Sequence, residues 1–196
     1  GRRLLISAGP TQEAIDPVRF ISNRSSGKMG YALAEAAQAR GAEVLLVSGP
    51  TALTPPAGVE LCPVTTAEEM RKAVISRFSW SDTVIMAAAV ADYRPTQPAA
   101  QKLKKRRSPV TSLELSPTDD ILRELGERRT TQVLVGFAAE TEDLLAHARE
   151  KLQAKGVDLL VANDVTAAGS GFGSDTNRVF ILDRDGRAEE LPLLPK

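Results

Sequence analysis

The feature that most constrains the fold is a regular alternation of short apolar runs with segments of helical periodicity. The apolar runs read, in chain order, RLLISA, EVLLVSGP, VELCPV, DTVIMAAAV, QVLVGFA and VDLLVAN. The spacing of apolar residues and the end signals favour helices at 27–40, 66–78, 118–128 and 141–155. Parallel strands need long crossover connections, and helices of this length supply them. The sequence therefore predicts an α/β fold, with an open, mostly parallel sheet and helices on both of its faces.

Two segments interrupt this Rossmann-like alternation. Residues 92–116 contain several prolines and the basic run KLKKRR, which favours a mobile flap over a crossover helix. Residues 177–191, NRVFILDRDGRAEEL, read as two strands around the turn Asp185-Gly186, which predicts a C-terminal β-hairpin. A chain of 196 residues has the size of one domain. We therefore expect residues 1–196 to form a single domain that carries a flap and a β appendage.

Composition excludes several classes of partner. The 25 basic and 25 acidic residues give a formal net charge of zero, which argues against a general nucleic-acid or anionic-membrane binder. The basic run at 102–107 has no interleaved aromatic residue, so a solvated loop is its ordinary interpretation. No apolar run approaches a membrane span or heads a signal peptide. The single cysteine, Cys62, cannot form an internal disulfide. A reducing, cytoplasmic setting is expected.

The stretch SNRSSGKMG, residues 22–30, is the main candidate for a ligand loop, because open α/β sheets bind ligands beyond the carboxyl ends of their strands. It fails the nucleotide-triphosphatase pattern G-x-x-x-x-G-K-[ST], since Ser22 and Met29 occupy two required positions. The dinucleotide pattern G-x-G-x-x-G is absent, so a nicotinamide dehydrogenase is a poor fit. The amides of Ser25, Ser26 and Gly27 can still face an anion at a helix start. A serine-capped helix with an exposed lysine is the alternative.

Two further features have both a functional and an ordinary interpretation. Asp92 follows the fourth apolar run, where a carboxylate can ligate Mg²⁺ together with a phosphate, or serve only as a turn residue. Lys151 and Lys155 are spaced i, i+4 and share one helix face, which from spacing alone indicates a solvent-exposed face. Neither feature identifies a site by itself.

Taken in order, a set of motifs resembles one family across nearly the whole chain. The motifs are ISAGPTQEAIDPVRFISNRSSGKMGYALA, AAAVADYRP, KLKK, DDIL, VGFAAET and ANDV…GFGSDTN. They resemble the phosphopantothenoylcysteine synthetase of bacterial coenzyme A biosynthesis, commonly the carboxy-terminal half of a bifunctional protein. The resemblance implies a CTP-dependent ligase. The carboxylate of 4′-phosphopantothenate attacks the α-phosphate of CTP, pyrophosphate leaves, and the amine of cysteine displaces CMP to form an amide.

The resemblance also implies the residues of the site. Asn23 and Lys102 match catalytic positions: Asn23 serves the second half-reaction, and Lys102 lies on the flap that closes over the phosphates. Arg19, Asn23 and Ala88 match the substrate side of the site, and Asp92 is the position expected to ligate Mg²⁺. With the loop amides at 25–27, the expected nucleotide-binding set is Ser25, Ser26, Gly27, Met86, Ala87, Ala88, Asp92, Lys102, Thr118, Asp119, Asp120, Ile121, Phe137, Lys151 and Lys155.

The partners implied by the resemblance are 4′-phosphopantothenate, cysteine, CTP and Mg²⁺. A homodimer is also implied, in which one subunit completes the site of the other, and the hairpin near 177–191 is the candidate contact. The full-length protein is expected to be fused to a flavin-dependent decarboxylase domain, which this chain lacks, so no FMN is expected here. Members of the family usually continue into a last helix beyond LPLLPK.

Three other functions compete with the CTP-dependent ligase. The first is the same ligation driven by ATP, as in eukaryotic relatives. The second is a non-catalytic module that senses a nucleotide. The third, given little weight, is a nucleic-acid binder that acts through the basic flap and would show steeply salt-dependent affinity.

Overall fold

The computed structural model of the chain describes residues 1–104, 112–140, 144–164, 169 and 173–196. Its strands are β1 (Arg3–Ala8), β2 (Gln12–Ala14), β3 (Phe20–Ser22), β4 (Glu43–Ser48), β5 (Glu60–Pro63), β6 (Thr83–Met86), β7 (Tyr93–Pro95), β8 (Leu115–Pro117), β9 (Val133–Glu140), β10 (Leu159–Asp164), β11 (Thr176–Asp183) and β12 (Ala188–Pro195). Its helices are α1 (Lys28–Ala39), α2 (Ala67–Arg77), α3 (Ile121–Arg128) and α4 (Leu144–Lys155).

Eight of these strands form the central sheet, in the order β12-β11-β10-β9-β6-β1-β4-β5. The six strands from β10 to β5 are parallel, whereas β11 and β12 are antiparallel to their neighbours. The chain moves outward from β1 to β4 and β5, and α2 then returns it to β6 on the other side of β1. This reversal leaves a crevice between the carboxyl ends of β1 and β6, where open α/β sheets bind ligands. The predicted α/β fold is confirmed.

Helices cover both faces of the sheet, as the sequence predicts. α2, α3 and α4 pack on one face, where Met70, Leu125 and Leu152 join the core. α1 packs on the other face against Ile6 and Leu46. No helix in the described ranges is both long and apolar enough to cross a bilayer.

The local signals that begin and end the first two helices are present in the structure. The Glu69 amide donates to Thr66 Oγ1 at 3.2 Å and the Glu69 carboxylate accepts from the Thr66 amide at 3.3 Å, so α2 begins with the predicted capping box. Gly41 follows α1 with a φ of 80°, the left-handed conformation that glycine adopts most easily. The start predicted for the helix at 141–155 lies outside the described residues, which include this helix from Leu144.

The C-terminal hairpin is part of the central sheet. β11 and β12 pair antiparallel around a turn in which Gly186 has a φ of 83°. β11 also pairs with β10. The segment expected as an appendage therefore extends the main sheet by two strands. Asp158, in the loop before β10, pairs with Arg184 of the turn and with Arg129 at 2.7 Å. The hairpin is therefore anchored at both its strand and its turn.

The flap region begins and ends in a short antiparallel pair, β7 and β8. The Thr96 amide donates to the Glu114 carbonyl at 3.0 Å and extends this ladder toward the flap. Residues 105–111, which include part of the predicted basic run, lie outside the described residues, and the mobility of the flap stays a prediction. A second small pair, β2 and β3, occupies the stretch that the sequence indicates only as a long loop.

A close contact between α1 and β1 fixes the position of the helix. A Cβ atom built on Gly30 would lie 2.5 Å from Ala8 Cβ and 3.0 Å from the Ser7 carbonyl oxygen. Neither neighbour can move without displacing β1, because Ser7 and Ala8 are fully buried in the sheet. Glycine at this position therefore allows the first turn of α1 to reach the carboxyl end of β1.

Replacing Gly30 by Ala should destabilise the fold by about 1–3 kcal/mol, since overpacking outweighs the better helix propensity of alanine. Urea unfolding measures the change, and Glu35→Ala, on the exposed side of the same helix, serves as the control with a change within about 0.5 kcal/mol. A Gly30→Ala variant that is more stable than the wild type would contradict the close contact.

Candidate functional site

A cavity of about 530 Å³ opens at the carboxyl edge of the sheet. This volume lies within the usual range for small-molecule sites. Most of the residues expected from the sequence line it, namely Asn23, Ser25, Ser26, Gly27, Met86, Ala87, Ala88, Asp92, Thr118, Asp119, Asp120, Ile121, Phe137, Lys151 and Lys155. Of the expected residues, Arg19 and Lys102 are not among those that line it. The structure thus brings loops from distant parts of the chain to one opening.

The amino terminus of α1 forms one wall of the cavity. Gly27 is the N-cap residue with a φ of 79°, and its helix start has no side-chain cap. The Gly27 amide donates to Ser25 Oγ at 3.3 Å, so Ser25 orders the loop before the helix and does not cap it. The serine-capped helix considered above is therefore not formed. The first amides of a helix have no partner within it, and the helix dipole is positive at this end, so this wall suits an anion.

Lys28, the first residue of α1, reaches across the cavity edge to the segment before β11. Its Nζ donates to the Gly173 carbonyl at 2.9 Å and to Asp175 Oδ1 at 2.6 Å. This contact holds the pKa of Asp175 below its ordinary value. Lys28 is therefore not the free surface lysine of the ordinary interpretation; it connects the ligand loop to the C-terminal part of the sheet.

The loop after β6 is pinned to the loop after β1. The Ala88 amide donates to Ser7 Oγ at 3.1 Å, the Ala89 amide to the Gly9 carbonyl at 2.9 Å, and the Ala91 amide to Thr11 Oγ1 at 2.9 Å. Ser7 and Thr11 are fully buried. These bonds fix the backbone of the loop that carries Ala88 and Asp92, two of the residues that the resemblance assigns to the nucleotide.

Asn23 is joined to the same loop. Its Nδ2 donates to the Val90 carbonyl at 2.9 Å and, more weakly, to the Ala89 carbonyl at 3.3 Å. Both amide hydrogens are directed at the protein in this arrangement. A role in which Asn23 donates to a reaction intermediate therefore requires it to give up one of these contacts.

The opposite wall is formed by the start of α3 and by α4. Asp120 is the N-cap of α3 and accepts from the Arg123 amide at 3.1 Å. Lys155 Nζ lies 3.0 Å from Asp120 Oδ2, and Lys151 lines the same wall. Lys151 and Lys155 of α4 therefore face the cavity. Their i, i+4 spacing alone could not distinguish a cavity-facing pair from a solvent-exposed one.

Thr118 connects this wall to the loop after β6. Its hydroxyl donates to the Ala91 carbonyl at 2.6 Å, and its amide donates to the Asp92 carbonyl at 2.9 Å. Asp119 is exposed and lies 3.7 Å from Arg71, whose pKa is raised chiefly by its hydrogen bonds to Glu124. The segment that precedes α3 is consequently held from both sides.

The sequence prediction missed several lining residues, among them the polar residues Asn163, Asn177 and Lys196. Asn163 is the penultimate residue of β10, so its position at the carboxyl edge could have been inferred from the apolar run before it. Asn177 starts an antiparallel strand, and no local signal indicates that it faces the cavity. Lys196 also lines the cavity, and burial together with the nearby charge of Lys28 lowers its pKa.

Arg19 and Lys102 do not line the cavity, and they belong to two segments that contact each other. Arg19 Nε donates to Asp16 Oδ2 at 3.0 Å, and its Nη2 donates to the Leu103 carbonyl at 2.6 Å. Lys102 is exposed and directly precedes Leu103. In this arrangement the guanidinium of Arg19 is occupied by protein groups, and Lys102 projects from a segment that Arg19 holds.

The donor set near the cavity fits Mg²⁺ that is held jointly with a phosphate. Asp92 is exposed at the cavity, and Asp119 and Asp120 lie on its wall. No cluster of three or more His, Cys, Asp or Glu side chains suited to a metal ion occurs among the described residues. Mg²⁺ usually needs only one or two carboxylates when phosphate oxygens and waters complete its shell. Asp92 is the residue here that would hold it.

The fold and the site together define a class of protein. It is an α/β protein with a crevice at the topological switch point, flanked by a helix amino terminus, several lysines and an exposed carboxylate. Such a crevice is suited to a phosphorylated ligand. The family described as DNA/pantothenate metabolism flavoprotein C-terminal domain matches residues 1–196, and the chain belongs to this family.

Individual relatives agree with this assignment. The chain is 56% identical over 197 residues to the coenzyme A biosynthesis bifunctional protein CoaBC of Bacillus subtilis, covering 100% of this chain and 48% of that protein. It is 46% identical over 198 residues to the CoaBC of Vibrio cholerae, covering 100% of this chain and 49% of that protein. The chain thus spans about half the length of these relatives.

Solved structures agree on the fold. A crystal structure of the C-terminal domain of CoaBC superposes with a TM-score of 0.84 at 48% identity, covering 99% of this chain and 87% of that one. A DNA/pantothenate metabolism flavoprotein from Streptococcus pneumoniae has a TM-score of 0.83 at 26% identity, covering 97% and 92%. A Cab2 variant in complex with phosphopantothenate-cysteine has a TM-score of 0.80 at 21% identity, over 97% of this chain and 80% of that one, and shows the shared fold only.

Proposed function

We propose that this chain is a phosphopantothenate–cysteine ligase of coenzyme A biosynthesis. It joins 4′-phosphopantothenate and cysteine through an acyl-cytidylate made from CTP, and releases CMP and pyrophosphate. The observation that carries the proposal is the single cavity in which the amino terminus of α1, the loop after β6 and the lysines of α4 meet. Membership of the family and the names of the CoaBC relatives support it. Because those relatives are named as bifunctional, we also propose that the full-length protein carries a decarboxylase domain.

In the first half-reaction, a carboxylate oxygen of 4′-phosphopantothenate attacks the α-phosphorus of CTP and the bond to pyrophosphate breaks. Two anions must approach each other, so positive charge around the phosphates lowers the barrier. Such charge comes from two opposite walls of the cavity. The amides at the start of α1 supply it on one wall, and Lys151 and Lys155 supply it on the other. Mg²⁺ beside Asp92 would neutralise the pyrophosphate that leaves. Lys102 on the flap covers the phosphates and limits access of water to the acyl-cytidylate.

In the second half-reaction, the amine of cysteine attacks the acyl carbon, an amide bond forms, CMP leaves and the amine loses a proton. The tetrahedral intermediate carries a developing oxyanion, which hydrogen-bond donors stabilise. Asn23 is the donor we assign to it. Its weaker contact, the 3.3 Å bond to the Ala89 carbonyl, is the one that would be exchanged for the oxyanion. Residues Arg19 and Ala88 are proposed to meet 4′-phosphopantothenate. Since CTP is a cytoplasmic metabolite, a cytoplasmic location follows from the proposal.

Pyrophosphate release should be fast with CTP and at least about 100-fold slower with ATP at equal concentration, a difference of about 2.7 kcal/mol in transition-state binding. The assay contains 4′-phosphopantothenate and Mg²⁺, and omitting 4′-phosphopantothenate is the control. Equal rates with both nucleotides would defeat the CTP assignment in favour of no preference, and faster release with ATP would favour the ATP-driven ligation. No pyrophosphate with either nucleotide, despite binding, would favour the nucleotide-sensing module.

Replacing Asn23 by Asp should separate the half-reactions. The change removes the amide donor and adds a negative charge beside the developing oxyanion, so amide formation should fall about 100-fold or more. Pyrophosphate release in the first turnover should stay within about tenfold, and acyl-cytidylate should accumulate. Rapid quenching with chromatography measures both species in one sample. An equal loss of rate in both half-reactions would show that Asn23 does not act specifically on the second step, amide formation.

We further propose that the chain forms a homodimer through the apolar face of β10 and β11 opposite α4, which includes the first strand of the hairpin near 177–191. This face consists of the half-buried residues Leu159, Val161, Val179 and Ile181. The described residues of α2, α3 and α4 belong to the core on the other side, and α1 packs near β1 and β4. No helix among the described residues covers this face, and an apolar face of this kind beside a hairpin is typical of a protein interface.

Light scattering should give twice the chain mass for the wild type. The Ile181→Glu substitution should lower the measured mass toward that of the monomer, because a charge would be buried at the interface. Leu61→Glu, at the far edge of the sheet on β5, is the matched control and should remain dimeric. A wild type that is strictly monomeric at working concentration would contradict the proposed dimer.

A further inference from the structure

Asp16 is a buried carboxylate that the reaction proposed above does not use. It lies in the turn between β2 and β3, in the stretch IDPVR, and its side chain has no exposed surface. Burying a carboxylate is costly unless its oxygens are well paired. The groups that pair with Asp16 therefore indicate what the residue holds together.

Asp16 binds two separate segments of the chain. Its Oδ1 accepts from the amides of Val18 and Arg19 at 2.8 and 2.9 Å, which closes the turn between the strands. Its Oδ2 accepts from Arg19 Nε and from the Leu103 amide, both at 3.0 Å. Arg19 then donates to the Leu103 carbonyl at 2.6 Å. Leu103 is thus held at both its N–H and its C=O.

The segment that Leu103 belongs to is the root of the flap, defined here as residues 96–104. A second contact holds this root to the same turn, because the Ala99 amide donates to the Ile15 carbonyl at 2.9 Å. Hydrogen bonds from Arg19 hold the pKa of Asp16 far below its ordinary value of 3.8, against the effect of burial. The carboxylate is therefore ionised at neutral pH, where its charge can hold the root.

The root carries Lys102, and the turn leads directly into the cavity. Lys102 precedes Leu103, so the position of its Cα is set by the contacts of Leu103. At the other end, β3 leads into Asn23, whose amide binds the loop after β6. A flexible lysine side chain reaches one target efficiently only if its backbone is held near that target. The clasp formed by Asp16, Arg19 and Leu103 fulfils this condition.

We propose that Asp16 is a positioning residue for the ligase reaction: through Arg19 and Leu103 it holds the flap root and so places Lys102 over the phosphates. The inference rests on the proposed function, because it assigns Asp16 to the same site. Asp16 does not line the cavity. Besides its proposed contact with 4′-phosphopantothenate, Arg19 contributes to the site by holding Leu103.

The first arm of the test measures the clasp without any substrate. Amide hydrogen exchange at Ala99 and Leu103 should rise about tenfold or more in Asp16→Asn and Asp16→Ala, since local opening governs exchange. Asp158→Asn is the matched control: Asp158 also accepts from an arginine and from a backbone amide, that of Leu134, but lies far from the flap. It should leave exchange at the flap root unchanged. If both Asp16 variants unfold, Arg19→Lys provides the same readout.

The second arm measures pyrophosphate release in the first half-reaction. Asp16→Asn should lower kcat about tenfold with the KM for CTP within about threefold, because placement of Lys102 matters most in the transition state. In a Lys102→Gln background the same change should have an effect of about threefold or less, because Asp16 acts through Lys102. Asp158→Asn should keep the wild-type kcat.

Each outcome decides the proposal. Unchanged exchange at the flap root would show that no clasp exists. Increased exchange with unchanged kcat would show that the clasp does not serve the reaction. An undiminished effect of Asp16→Asn in the Lys102→Gln background would show that Asp16 acts through another residue. A wild-type chain that releases no pyrophosphate would refute the ligase function itself, and the exchange arm would still decide whether the clasp exists.

Discussion

The close approach of α1 to the end of β1 is the contact on which the site depends. Gly30 allows the helix to lie against Ala8, and Gly27 packs beside Gly9, where any side chain would collide with Thr51. As a result, the amino terminus of α1 opens into the crevice where the strand order reverses. Larger residues at either glycine would push the helix out and remove the anion-binding wall. The chemistry of the cavity thus begins with backbone packing and not with a charged side chain.

Around this wall, buried hydroxyl groups hold the remaining loops. The hydroxyl groups of Ser7, in β1, and Thr11, just after it, accept hydrogen bonds from the loop after β6. The Thr118 hydroxyl donates to the same loop from the other side. These bonds are made within the protein and order the loops, so binding needs little reordering of the site. Preorganised donors and charges are also what a reaction between two anions requires. The described root of the flap, residues 96–104, is joined to this frame through the Asp16 clasp and the Ala99–Ile15 contact.

The sequence predicted the parallel sheet and most of the cavity lining, because apolar runs, capping signals and family motifs are local. It did not predict the short pair β2 and β3, since strands of three residues have too little alternation to be recognised. It also treated the hairpin as an appendage, because no local pattern tells which sheet edge a strand will join. The contacts of Lys28 with Asp175 and of Asp16 with Leu103 join positions far apart in the chain. Single-sequence patterns do not encode such pairs, so the roles of these residues emerged only from the fold.

In the proposed function, one cavity at the carboxyl edge of the sheet binds the nucleotide for the ligation. The sharpest test of this binding is a crystal structure of the chain with CTP and Mg²⁺. The triphosphate should lie between the amino terminus of α1 and the lysine pair Lys151 and Lys155, with the metal beside Asp92. CTP bound elsewhere on the molecule, or a cavity that stays empty at saturating CTP, would contradict it.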